Sequence, residues 1–237
     1  MEELVRQVVA FGDFKSIGFE VINQLNDIIK KYDMVLEATQ DFSTRIERGN
    51  RVVFEVGVGQ PVPTIPQIRP VLVSKTRNFC VFIGASRIHV EERNASADTY
   101  EDFLTKAKEI FKDIIDRFSA IVINRIAING KAVSRDIEKM KKVYSATFKE
   151  SELYGTESNE FSFRINTIVQ SQALNKSMNK IVEVNRVTEI DTNNKQQPSM
   201  FIDYDYNTVE NIENTFSYDD IELLITEGIE LRAKVLQ

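Results

Sequence analysis

The chain has 237 residues, 28% of them charged and 42% apolar, with 36 acidic against 30 basic side chains and a net charge of −6. It holds one Cys, one His and no Trp. Those counts exclude an intrachain disulfide, a four-cysteine zinc site and any site built on two histidines, the H-E-x-x-H pattern included.

This length suits one large domain or two small ones, with core enough to need no metal or disulfide staple. A lone Cys80 points to a reducing compartment. The longest apolar run falls far short of the roughly 20 residues that span a bilayer. Met1, Glu2 and Glu3 give an acidic start without the basic and apolar regions of a secretion signal. A cytosolic protein is expected. Its acidity argues against general electrostatic binding to nucleic acid.

In chain order, residues 16–36 read as a helix, capped by Ser16 and striped by Phe19, Ile22, Leu25, Ile29 and Tyr32. Residues 51–58 are dense in β-branched side chains and read as a strand. Residues 59–70 hold four of the five prolines, which predicts an extended connection rather than helix or central strand. Residues 71–74 and 79–83 pattern as hairpin arms, and 86–91 as a further strand. The clearest helix is 98–118, with Asp98 and Glu101 placed as a capping box and Phe103, Ala107, Ile110, Phe111, Ile114 and Phe118 on one stripe. A strand over 120–128 then ends at a turn signalled by Asn129-Gly130.

Ser134 is placed to cap a short helix over 134–149, and 150–160 reads as a polar loop. Strands follow at 161–170, 180–191 and 200–206, joined by polar connections at 171–180 and 192–199. A last helix starts at Ser217, with Asp220 three residues on, and carries Ile221, Leu224, Ile225 and Gly228 on one side. The pattern predicts an α+β fold, antiparallel sheet with helices on one face. The order also suggests a tandem duplication of a helix–strands–helix unit, 1–118 and 119–237, packed as one unit. Ile123, Asn124, Arg125 and Ile126 are echoed by Val184, Asn185, Arg186 and Val187.

Asp203 and Asp205 sit two apart on a strand and so share a face. Paired carboxylates suit Mg²⁺ or Mn²⁺, the only cofactors the sequence suggests. The plainer alternative points them to solvent or to Arg125 or Arg186, with Ile202, Tyr204 and Tyr206 packed inward. Arg125, grouped with Ile123 and Ala127, and Arg186, grouped with Val184 and Thr188, need a partner on faces otherwise apolar. That partner is either a structural carboxylate or a bound anion. Arg125, Arg186 and Tyr204 are therefore the candidate ligand-binding residues.

Cys80, among apolar neighbours, reads as a buried thiol, and His89 as exposed. Neither a P-loop, nor a dinucleotide fingerprint after a strand, nor a G-x-S-x-G elbow occurs. Lys131, Arg135, Lys139, Lys141, Lys142 and Lys149 gather in one segment. A run like this is usually a solvated face.

Three regions resemble a sporadically distributed bacterial family of uncharacterised proteins of about this length. They are Tyr100, Glu101, Asp102 and Phe103 opening a long helix after a hairpin, the strand 121–126 ending in Asn124, Arg125 and Ile126, and the strand 201–206 followed by a terminal helix from Ser217. The resemblance implies the fold and a prokaryotic or phage origin, with a defence, counter-defence or mobile-element context, and no particular reaction.

The reading that follows is a non-catalytic binding protein. It recognises a protein partner or a small anionic ligand in a groove between its halves, with no membrane and with a homodimer left open. The alternatives are a divalent-metal-dependent phosphoesterase using Asp203 and Asp205, and a nucleic-acid-binding protein acting through 131–149.

Overall fold

The computed structural model describes residues 1–41, 46–48, 51–53, 67–94, 99–148, 158–190, 194–211 and 213–236. The first half runs β1 (Glu2–Asp13), a 3-10 turn (Ile22–Leu25) continuing into α1 (Asn26–Lys31), β2 (Met34–Asp41), β3 (Ile46–Arg48), β4 (Arg51–Val53), β5 (Gln67–Ser74), β6 (Phe79–Ile83), β7 (Arg87–Arg93) and α2 (Tyr100–Arg117). The second runs β8 (Val122–Ser134), α3 (Ile137–Thr147), β9 (Phe161–Ser171), β10 (Lys176–Ile190), β11 (Gln196–Thr208) and α4 (Tyr218–Leu236). Nine strands form one antiparallel sheet in the order β2-β5-β6-β7-β1-β8-β11-β10-β9, and β3 pairs with β4.

Both halves follow one path. Each opens with a strand, passes through a helical segment, and meanders so that its last strand returns beside its first. A long helix ends the unit. β1 pairs with β7, β8 with β11, and β1 with β8 at the centre. The path common to both halves therefore begins with a strand, and the two halves share one sheet. The four-residue echo falls in β8 and β10, which hold different places within a single half, so it does not mark the repeat.

All the helices lie on one face. Val8, Ala10, Val90, Ile126 and Ile128 on the sheet meet the stripe Phe103, Ala107, Ile110, Phe111 and Ile114 of α2 and Ile221, Leu224 and Ile225 of α4. Burying one such side chain contributes about 1.5–3 kcal/mol. At the far end Met140 of α3 packs with Val184, Met200 and Ile202, and Tyr144 stands 5.5 Å from the ring of Phe161. Among the described residues no helix is long and apolar enough to cross a membrane.

The caps show why the long helices start where they do. Ser217 Oγ accepts from the Asp220 amide at 3.3 Å while Asp220 accepts from the Ser217 amide at 2.7 Å, the reciprocal box that the sequence predicts. Ser217→Ala should cost about 1 kcal/mol. A denaturant midpoint equal to wild type would contradict this. In α2 the box is Thr99 with Asp102, one residue later than expected; Asp98 lies outside the described residues. α3 is capped by Asp136, which accepts from the amides of Glu138 and Lys139. Ser134 instead ends β8.

Several expectations are corrected. Strand β1 forms over residues that the sequence patterning leaves unmarked. Within 16–36 the helix shrinks to a 3-10 turn and six residues, because Asp33 takes a left-handed φ of 49° and turns the chain into β2. Pro70 lies inside β5. Pairing with β6 stops at Val71, so Pro70 has no strand to donate to on that side. Residues 54–58, 59–66 and 149–157 lie outside the described residues.

The Asn129-Gly130 pair makes no turn and sits mid-strand in β8. A Cβ on Gly130 would stand 2.4 Å from the Tyr204 hydroxyl and 2.7 Å from the Val5 carbonyl oxygen. Glycine is there for close approach, not for a hairpin. The connections at 171–180 and 192–199 are shorter than predicted, since β10 begins at Lys176 and β11 at Gln196.

Candidate functional site

The face away from the helices carries polar side chains in register across five strands. One row runs from Gln7 to Asn129, Asp205 and Ile181, each opposite the next. The row beside it runs from Val5 to Lys131, Asp203, Glu183 and Arg164. Together they line a groove of about 390 Å³, within the range of small-ligand sites. Val5 and Gln7 belong to the first half and the rest to the second, so the groove crosses the seam between them.

The second row is internally paired. Lys131 Nζ lies 3.3 Å from Asp203, and Arg164 lies 3.8 Å from Glu183. Asp205 is less well served. Its Oδ2 accepts from Asn207 at 2.8 Å, but its Oδ1 is buried without a hydrogen-bond partner. Burial pushes its carboxyl above the usual range, against the Asn207 hydrogen bond and the charges of Arg125 and Arg164.

The sequence-predicted residues divide between the two faces. Asp203 and Asp205 share a face, as their spacing requires, while Ile202, Tyr204 and Tyr206 are buried on the other. Arg125 also reaches the open face. A bulge skips Asn124 between the pairs Phe11 with Arg125 and Gly12 with Ile123. Ile123 therefore joins the core while Arg125 donates to Asn207 at 3.1 Å and lies 4.9 Å over the Phe11 ring. This separates Arg125 from Ile123, which the strand alternation had grouped with it.

Arg186 is on the helix side, 5% exposed, donating to the Ser158 carbonyl. It does not meet Arg125. Tyr204 contributes to the groove floor, yet its hydroxyl turns to the helix side and donates to Glu3. The carboxylates of Asp203 and Asp205 are the groups that would hold a metal. Among the described residues no three His, Cys, Asp or Glu side chains converge in a metal-binding cluster.

Sequence reasoning missed Gln7, Asn129, Arg164, Ile181 and Glu183. The signal was present as polar residues at alternate positions, Asp203, Asp205 and Asn207 on β11 and Asn179, Glu183 and Asn185 on β10, with Glu183 opposite Asp203 and Asn179 opposite Asn207.

Cys80 and His89 lie elsewhere on the open face. Burial pushes the Cys80 thiol up to about 11, helped by the Glu91 charge. His89, expected to be exposed, is instead largely buried, stacked 5.0 Å from the Phe82 ring. Burial, with Arg87 and Arg93 against Glu91, pushes it down to about 4. Native Cys80 should react with iodoacetamide at least about tenfold more slowly than an exposed thiol. Labelling at the exposed-thiol rate would contradict the burial.

The basic segment is dispersed. Lys131 points into the groove, Arg135 pairs with Glu2 and Glu189, Lys139 reaches the Leu236 carbonyl, and Lys141 pairs with Glu138. Lys149 lies outside the described residues. Neither a family model, nor a curated protein, nor a solved structure matches this chain.

Proposed function

We propose that the protein is a non-catalytic binding module that holds its ligand on the bare face of the sheet, in the groove across the seam. The observation that carries this is the groove's lining, with amides, cations and carboxylates in register around the unpartnered Oδ1 of Asp205. Donors and acceptors in such a mixture match a polypeptide segment better than a simple anion, because Glu183, Asp203 and Asp205 outnumber Lys131 and Arg164. A protein partner is thus the favoured ligand. A cytosolic setting and a prokaryotic or phage defence context remain the sequence-level reading of where it works.

A photo-crosslinking residue at Ile181, in the groove, tests this against one at Leu223, exposed on α4. Crosslinks to one recurrent partner from Ile181 and not Leu223 are expected. The reverse pattern would overturn the reading, as would substrate turnover abolished by Asp203→Asn.

One observation bears on the metal-dependent phosphoesterase: Glu183 sits directly opposite Asp203 on the open face, although Lys131 and Arg164 already pair with these two carboxylates and the set does not converge as a metal cluster among the described residues. On that reading millimolar Mn²⁺ raises the melting temperature, and Asp203→Asn removes the rise. No rise would leave the binding reading standing.

A further inference from the structure

The last strand of the sheet, β9, is unusual for an edge. It pairs with β10 over its full length, from Phe161 opposite Arg186 to Ser171 opposite Lys176. Among the described residues no strand pairs with its other side. In an antiparallel pair, alternate residues turn their N–H and C=O groups outward, so about half of β9's backbone groups face away from β10.

Natural edges are guarded by prolines, lysines, short length or inward charges. β9 has none of these guards. It is 11 residues long, free of proline and lysine, and carries one charge, Arg164, which Glu183 already holds. Ile165 on the helix side is 52% exposed, and Ile168 on the open side 67%. The opposite edge, β2, differs, since it is eight residues long and carries two acidic residues, Glu37 and Asp41.

We infer that two copies of this chain join through β9, edge to edge and antiparallel, into one continuous sheet. The sequence of the strand fits itself. With a twofold axis through Asn166, Phe163 faces Val169 of the second copy, Ile165 faces Thr167, and Asn166 faces its own counterpart. Arg164 faces Ile168 of the second copy, so no charge meets a like charge. Shifting the axis by one residue either way also keeps Arg164 away from its twin. Such a contact is isologous and closes as a dimer. Its occupant is a second copy because the strand is its own complement in this register, Phe163 and Ile165 meeting Val169 and Thr167 with no like charges opposed. Arg164 also lines the groove, so the dimer places Ile168 of the second copy at the groove's outer wall. This inference stands apart from the groove's ligand.

Sedimentation velocity of the full chain, from micromolar to hundred-micromolar concentration, tests it. Wild type should move to twice the chain mass. The double variant Ile165→Lys/Ile168→Lys should stay at one chain mass, while Val35→Lys on β2 should still dimerise. A wild type that stays monomeric, or a double variant that still dimerises, overturns the inference. Amide hydrogen exchange on unmodified protein gives a second readout. Exchange in β9 should slow as concentration rises while that in β2 does not; concentration-independent exchange in β9 would overturn it as well.

Discussion

Glu3→Gln should lower stability by about 3–5 kcal/mol at neutral pH, the cost of breaking a buried ion pair, since Arg232 loses its carboxylate while Arg6 keeps Glu92. Glu3 is the hub of an ionic cluster beneath the helices. Its carboxylate accepts from Arg6 Nε at 2.9 Å, from Arg232 Nε at 2.7 Å and from the Tyr204 hydroxyl at 3.1 Å. Arg6 also donates to Glu92 at 3.0 Å and to the Thr99 carbonyl, and Arg232 lies 3.9 Å over the Tyr100 ring. Glu3, Arg6, Glu92 and Tyr100 come from the first half, Tyr204 and Arg232 from the second. The cluster therefore ties the halves on the side opposite the groove. In a protein of this size the loss is worth roughly 6–20 °C in melting temperature.

The pH dependence carries its own sign. Burial pushes the Glu3 carboxyl up, but the hydrogen bond and charge of Arg232, with the charge and hydrogen bond of Arg6, hold it below its ordinary value of 4.5. A group lowered in the folded state stabilises fully above its unfolded value, and that stability is lost as pH falls through the folded value. Wild type and Glu3→Gln should therefore differ most at neutral pH and converge in acid below the ordinary carboxylate range. A stability gap that stays constant from neutral pH into strong acid would contradict the role of the Glu3 charge.

The second large effect is expected at Gly130. A side chain there meets the Tyr204 ring carbon bearing the hydroxyl at 2.6 Å as well as the hydroxyl itself. It also meets the Val5 carbonyl oxygen, which is backbone and cannot swing aside. Overpacking of this kind costs about 1–3 kcal/mol for the smallest addition, so Gly130→Ala should fall in that range and Gly130→Val beyond it. Tyr204→Leu removes the phenol and should recover part of the Gly130→Ala loss, leaving the Val5 clash. Strict additivity of the two substitutions in a double-mutant cycle would contradict direct contact.

How much of this was legible depends on whether the cause was local. The stripes of α2 and the Ser217 cap of α4 are local, and the sequence displays them. Strand β1 was missed because it lies at the sheet's centre. Val8 and Val9, on opposite faces, are 1% and 5% exposed, so the alternation that marks a strand is absent. Asn129-Gly130 carries a strong local turn signal that a distant tyrosine overrides. The bulge at Asn124, which sends Ile123 and Arg125 to opposite faces, has no mark in the residues themselves. Arg125 and Arg186 look alike in sequence but end on opposite sides of the sheet. The Glu3 and Arg232 pair spans 229 residues. Its one sequence trace is a pair of charges, Glu3 and Arg6, set among apolar residues of a strand. The groove needed the register of five strands before its two rows could be seen.

The central claim is that the seam-crossing groove holds a ligand. Native mass spectrometry of gently purified protein, wild type beside Asn129→Arg, tests it most directly. The account predicts a reproducible added mass on wild type that is absent from the groove-filled variant, a polypeptide being the favoured identity. An added mass carried equally by both proteins would place the ligand elsewhere and contradict it.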